Sequence, residues 1–146
     1  MIENVLGFTE ESGALLKRLM NEAYPLAQID PTQEEYSRLE GINLPDEDDR
    51  HVLAAALAAE ADILCTSNVK DFPRNIASSF GITIMTPDEL LHTLIMKHPD
   101  EMLIVHNRTL ERLRKSTNDS TLEALEKAGA PVASKAMSTL LWRRND

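Results

Sequence analysis

Apolar residues at Leu15, Leu16, Leu19, Met20 and Ala23 recur with a period of three to four, which predicts an amphipathic helix. Thr9 stands where its cap would be, and Pro25 stops it after about Ala23. Leu26 to Ile29 is a short apolar run of strand length. Thr32-Gln33-Glu34-Glu35 has the spacing of a capping box and predicts a short helix to about Glu40, closed by Gly41. The acidic turn Leu44-Pro45-Asp46-Glu47-Asp48-Asp49 then leads into a helix from about Asp48 to Glu60 that is almost all Ala and Leu around its girth. A helix apolar on every side belongs in a core.

The period then changes. Asp62 to Thr66 and Ile82 to Met85 are short apolar strands. Ser67 to Phe72 is a loop, and Pro73 opens a helical turn near Ile76. Some 15 residues separate the two strands, too many for a tight hairpin and enough for a crossover, so the strands are expected to be parallel neighbours. Thr86-Pro87-Asp88-Glu89 is a capping box with proline at the first helical position, opening a helix to about Lys97. From Pro99 the pattern is helical, with Met102, Leu103, Val105, Leu110 and Leu113 near one face. Ser120-Thr121-Leu122-Glu123 is expected to cap a helix ending at Gly129, and a last helix runs from about Pro131 to Trp142. Ser116 to Ser120 reads as a joint. The expected class is α/β: a body over 1–98 with a short parallel sheet, and a helical extension over 99–146. So small a parallel layer leaves open edges, which further strands or another chain would have to cover.

Composition narrows the class. A chain of 146 residues, 42% apolar and 27% charged, suits one globular domain. No apolar run reaches the length of a membrane span, so no membrane association is expected. Met1-Ile2-Glu3-Asn4 lacks the order of a secretory signal, and the single cysteine, Cys65, offers no internal disulfide; both point to a cytoplasmic protein. Residues 1–100 carry 7 Lys and Arg against 18 Asp and Glu, and residues 101–146 carry 8 against 6, for a net charge of -9. Such a body does not attract phosphate backbones by its net field, so contact with nucleic acid requires a local basic surface, a metal or a partner. Six aromatic residues do not make an extended base-stacking platform.

Two clusters bear chemistry. Asp46-Glu47-Asp48-Asp49 opens the Ala-rich helix. One or two acids there would offset the helix dipole; four repel one another unless a cation binds, and hard divalent cations prefer carboxylate oxygens. Thr66-Ser67-Asn68-Val69-Lys70-Asp71-Phe72 follows a parallel strand, at the sheet edge where open α/β folds place ligands. Asn68 and Asp71 offer oxygen ligands, Thr66 and Ser67 hydroxyls. The bland alternatives are a helix cap and an ordinary polar loop.

Leu44 to Ala56, followed by Ala61 to Pro73, resembles the PIN-domain family, and most of all the VapC-type toxin ribonucleases of bacterial toxin–antitoxin systems. The likeness rests on an acidic turn, a small-residue helix, an apolar strand and a Thr-x-Asn-x-x-Asp-Phe loop, and extends to Leu16–Pro25, Thr86–Glu89 and Leu110–Gly129. It implies a three-layer α/β fold and a Mg²⁺- or Mn²⁺-dependent endoribonuclease acting on RNA. By residue match, Asp49 and Asp71 are the implied catalytic and metal carboxylates, with Asp48 a further ligand and Asn68 an orienting group. Arg50, Thr66, Ser67 and Lys70 are implied to meet substrate. The family opens with a strand ending in Asp, and a helix then supplies a Glu. Nothing here matches that strand, and Glu3 lies near where the helical Glu falls. The expectation is therefore a partial PIN domain, inactive alone, whose remaining acids come from a second polypeptide: an N-terminal PIN fragment, with an antitoxin and homo-oligomers as further partners. A mistaken start codon is another source of the same pattern. The alternative is a non-catalytic truncated PIN protein that binds a toxin or antitoxin.

His51 reads as a packed or surface residue near the acids, and His92, His98 and His106 have no ligand-like spacing. Arg74 flanks the proposed rim. Arg108, Arg112, Arg114 and Lys115 form the best basic stripe, for RNA, for an acidic partner or simply for a solvated helix face.

Overall fold

The computed structural model describes residues 10–113 and 115–143. Thr9, Glu3 and Arg114, named above as a cap, a helical acid and part of a basic stripe, lie outside the described residues. The described residues divide into two compact units: 10–42 with 48–61, and 43–47 with 62–113 and 115–143.

The first unit is helical. Helix α1 spans Glu10–Ala23, α2 spans Gln33–Arg38 and α3 spans Arg50–Ala58. The Thr32 box forms as expected: its hydroxyl accepts from Glu34 N, and the Glu35 carboxylate accepts from Thr32 N at 2.7 Å. Helix α2 packs on α3. Leu39, just past α2, is fully buried, as is Leu53 on α3. The Arg50 guanidinium donates to Leu39 O at 2.6 Å and Ile42 O at 2.7 Å, satisfying carbonyls at the end of α2. Helix α3 is not buried all round: Leu53, Ala54, Ala56 and Leu57 are buried on one face, whereas His51 is exposed. It also starts at Arg50 rather than Asp48, because Glu47–Asp49 forms a tighter 3-10 turn. The strand expected at Leu26–Ile29 does not form. Ala27 N instead donates to Tyr24 O at 3.0 Å, closing a turn, and Leu26 is 91% exposed. A four-residue apolar run needs a partner strand to become one, and none is present among the described residues.

The second unit holds the sheet. Strand β1 (Ile63–Cys65) and strand β2 (Thr83–Met85) pair in parallel, with Ile63 opposite Thr83 and Cys65 opposite Met85. Helix α4 (Arg74–Ser79) makes the crossover, longer than the single turn expected near Ile76. Gly81 takes φ +79°, a value other residues resist, and lets Ile82 N return to Ala77 O. Phe72, Ala77, Ile82 and Ile84 are buried here. Two strands form the whole sheet among the described residues, within an α/β chain of the expected class.

Four helices follow: α5 (Pro87–Lys97), α6 (Pro99–Arg112), α7 (Asn118–Lys127) and α8 (Pro131–Arg143). Helix α8 packs against α5 and α7 around Ile95, Leu103, Ala130, Ala133 and Met137. The cap of α7 is Thr117, not Ser120. The Thr117 hydroxyl accepts from Ser120 N and the Ser120 hydroxyl accepts from Thr117 N, so a Ser fills the place a Glu usually takes. Buried His106 meets Asn118 Oδ1 through Nε2 at 2.9 Å, tying α6 to α7. The Asp88 carboxylate on α5 accepts from Val132 N at 3.1 Å and Ala133 N at 2.7 Å, capping α8 from another element.

Candidate functional site

The loop after β1 is shaped by its own polar groups. Thr66 N donates to Met85 O at 2.9 Å, extending the ladder by one residue. Asn68 N then donates to Thr66 Oγ1 at 3.0 Å, a hydroxyl-closed turn, and Asp71 N donates to Asn68 O at 3.4 Å. Buried Phe72 anchors the end of the loop. This fixes the backbone on both sides of Asp71 at the C-terminal edge of the parallel strands, with Asp71 half-buried and Ser67, Asn68 and Lys70 exposed.

In the same unit, Asp46 brings a carboxylate oxygen within 4.8 Å of one on Asp71. Two carboxylates so close repel each other, and a divalent cation relieves that repulsion. Asp46 was legible only as one acid of the turn; the motif match pointed past it to Asp48 and Asp49. The signal was its spacing, three residues ahead of Asp49, on a segment that coils as a 3-10 turn.

In the other unit, Asp49 holds the N-cap position of α3, half-buried, with φ -85° and ψ -3°, and its side chain makes no capping hydrogen bond. The plainest structural reason for an acid there, satisfying the helix N–H groups, is therefore not the one used. Asp48 is exposed, and its carbonyl oxygen lies 2.6 Å from His51 Nδ1, which places His51 on the surface at the base of the acidic turn. Arg50 is committed to the two carbonyls described above.

Arg74, which flanks the proposed rim, is an exposed side chain held by Glu89. It pairs with Glu89 at 2.9 Å, and Glu89 also accepts from Thr86 N at 2.8 Å. These contacts, first the Thr86 backbone and then the Arg74 guanidinium, hold the Glu89 carboxyl below its ordinary value of 4.5.

Compared with known proteins, the chain is 42% identical over 43 residues to a Mycobacterium tuberculosis protein named "Putative ribonuclease VapC50". The matched stretch is 30% of this chain and 25% of that protein, so the chain spans about a quarter of the relative it matches. No family model matches the chain, and no solved structure matches it.

Proposed function

We propose that this chain is a component of a metal-dependent PIN-type endoribonuclease, the toxin of a bacterial toxin–antitoxin pair. The observation that carries the reading is the approach of the Asp46 and Asp71 carboxylates at the C-terminal edge of the parallel strands. The identity to a ribonuclease-named protein over 43 residues supports it. An all-oxygen donor set suits Mg²⁺ or Mn²⁺ better than softer metals. Asp49, by its match to the family's helix-start carboxylate, is the third ligand, with Asp48 beside it. Such an ion, when bound, supplies positive charge against a phosphodiester and acidifies a water molecule.

The protein's own residues do the positioning. Asp71 and Asp46 hold their carboxylates in place through the braced loop and turn. Asn68 orients groups beside Asp71, and Thr66, Ser67 and Lys70 address the phosphate backbone, while Arg50 braces the end of α2. The remaining carboxylates come from a second polypeptide, an N-terminal PIN fragment that adds a strand along β1; an antitoxin is the second partner. What supports this is a sheet of two strands among the described residues, in which Ile63 and Cys65 on β1 are exposed. The helices over 99–146 are an extension appended to the PIN-like body over 1–98.

Cleavage of a labelled RNA in Mn²⁺ or Mg²⁺ tests the reading. The chain alone should not cut, and the chain with the N-terminal fragment should. In that mixture Asp71→Asn should lower the rate by orders of magnitude while association persists. Robust metal-dependent cleavage by the chain alone would refute the split site; a stable pair that cuts no RNA would remove the nuclease.

A further inference from the structure

Helices α5 and α8 enclose a groove of about 470 Å³, distinct from the carboxylate edge of the same unit. Its floor is apolar: Ile95 is buried, and Ala136 and Leu140 are half-buried. Its margins are apolar too, with Met96 67% and Val132 53% exposed. Lys135 and Arg143 stand along one side, both exposed, and His92 completes the polar lining with Thr139. Lys135 and Arg143 are eight residues apart on one helix, so they share a face about 12 Å apart. Neither forms an ion pair with a described residue.

No Asp or Glu lines this groove, in a chain whose net charge is -9. Asp88, whose carboxylate accepts from the lining residue Val132, has both oxygens turned to the N-terminus of α8. The groove thus joins two cations to an apolar floor, along a helix that itself carries no Asp or Glu. A polyanion such as RNA would satisfy Lys135 and Arg143 and leave Ile95, Ala136, Leu140, Met96 and Val132 uncovered. The lining has no Phe, Tyr or Trp for a base to stack on, and its one imidazole, His92, is half-buried. A helix with an apolar stripe flanked by acids satisfies both features at once, since the furrow between two packed helices accepts the ridge of a third.

We propose that this groove docks an acidic amphipathic helix of a partner protein, its apolar stripe on Ile95, Ala136 and Leu140 and its carboxylates on Lys135 and Arg143. Charge complementarity sets the orientation and speeds the encounter, and the apolar floor holds the complex.

The test uses the full chain and a fluorescent helical peptide of about 16 residues, Leu on one stripe and Glu on its flanks. A second peptide keeps the Leu stripe and carries Lys for Glu. Anisotropy should show saturable binding of the acidic peptide, weakened by added salt, and none of the basic one. The double variant Lys135→Glu, Arg143→Glu should weaken binding by about tenfold or more, since each change replaces attraction by repulsion. Thr139→Trp, at an exposed lining position, should block the groove, with the far-ultraviolet spectrum of both variants unchanged. Equal binding of the two peptides, or no effect of either variant, would overturn the proposal. Displacement of the peptide by a short single-stranded RNA, itself lost on the double reversal, would also overturn it in favour of a nucleic-acid surface.

Discussion

Arg50 follows the acidic turn in sequence, yet its guanidinium spans the carbonyls of Leu39 and Ile42. A planar fork with several donors suits that task better than a single ammonium. Arg50→Met keeps the stem and removes the donors, and should destabilise the protein by about 2–3 kcal/mol, since it strands two half-buried carbonyls. Urea unfolding measures this, and a loss near zero would mean the clamp is incidental. Asp49 makes the converse case. Its side chain does not cap α3, so Asp49→Asn removes no capping bond from that helix and should lower cleavage in the reconstituted mixture. A large stability loss with unchanged cleavage would assign it a structural role.

Among the elements, caps decide where helices begin. Asp88 gives α8 two N–H partners from α5, so Asp88→Ala should cost about 1–2 kcal/mol, and Asp88→Asn less because it keeps one acceptor. Glu89 links the cap of α5 to Arg74, and its pKa lies below 4.5 in the fold. A carboxyl with a depressed folded value stabilises fully above its unfolded value, and that stabilisation is lost as pH falls through the folded value. Wild type and Glu89→Gln should therefore differ in urea midpoint near neutrality and converge in acid below pH 4.5; a constant offset would contradict the assignment. The boxes at Thr32 and Thr86 were legible because their chemistry is local, three residues from cap to acid. The parallel pairing was legible because its crossover length excludes a hairpin. The cap at Thr117 was hidden because Ser120 serves where a Glu is expected, and Leu26–Ile29 failed because a strand is a property of its neighbours. Asp46 at the site was hidden for a similar reason: a turn of four acids does not say which of them faces Asp71.

At the scale of the whole molecule, apolar surface and net charge oppose each other. Leu15, Leu16, Leu19 and Met20 on α1 are each 42–57% exposed, and Leu26 is 91% exposed. On β1, Ile63 is 39% exposed, beside an exposed Cys65. Exposed apolar side chains of this kind favour association. The charge of -9 resists association between like copies, and does so most at low ionic strength. At about 0.1 M salt the screening length is only about 10 Å, so the repulsion weakens while the apolar attraction persists. The chain expressed alone should therefore self-associate as concentration rises, and more so as salt is added. Light scattering behind size exclusion, run at low and high salt, measures this. Leu16→Glu with Leu19→Glu should lower the mean mass by removing the stripe on α1, at exposed positions that the fold tolerates. A monomer at every salt and concentration, melting in one cooperative step, would show that these faces need no cover and would weaken the case for a missing strand.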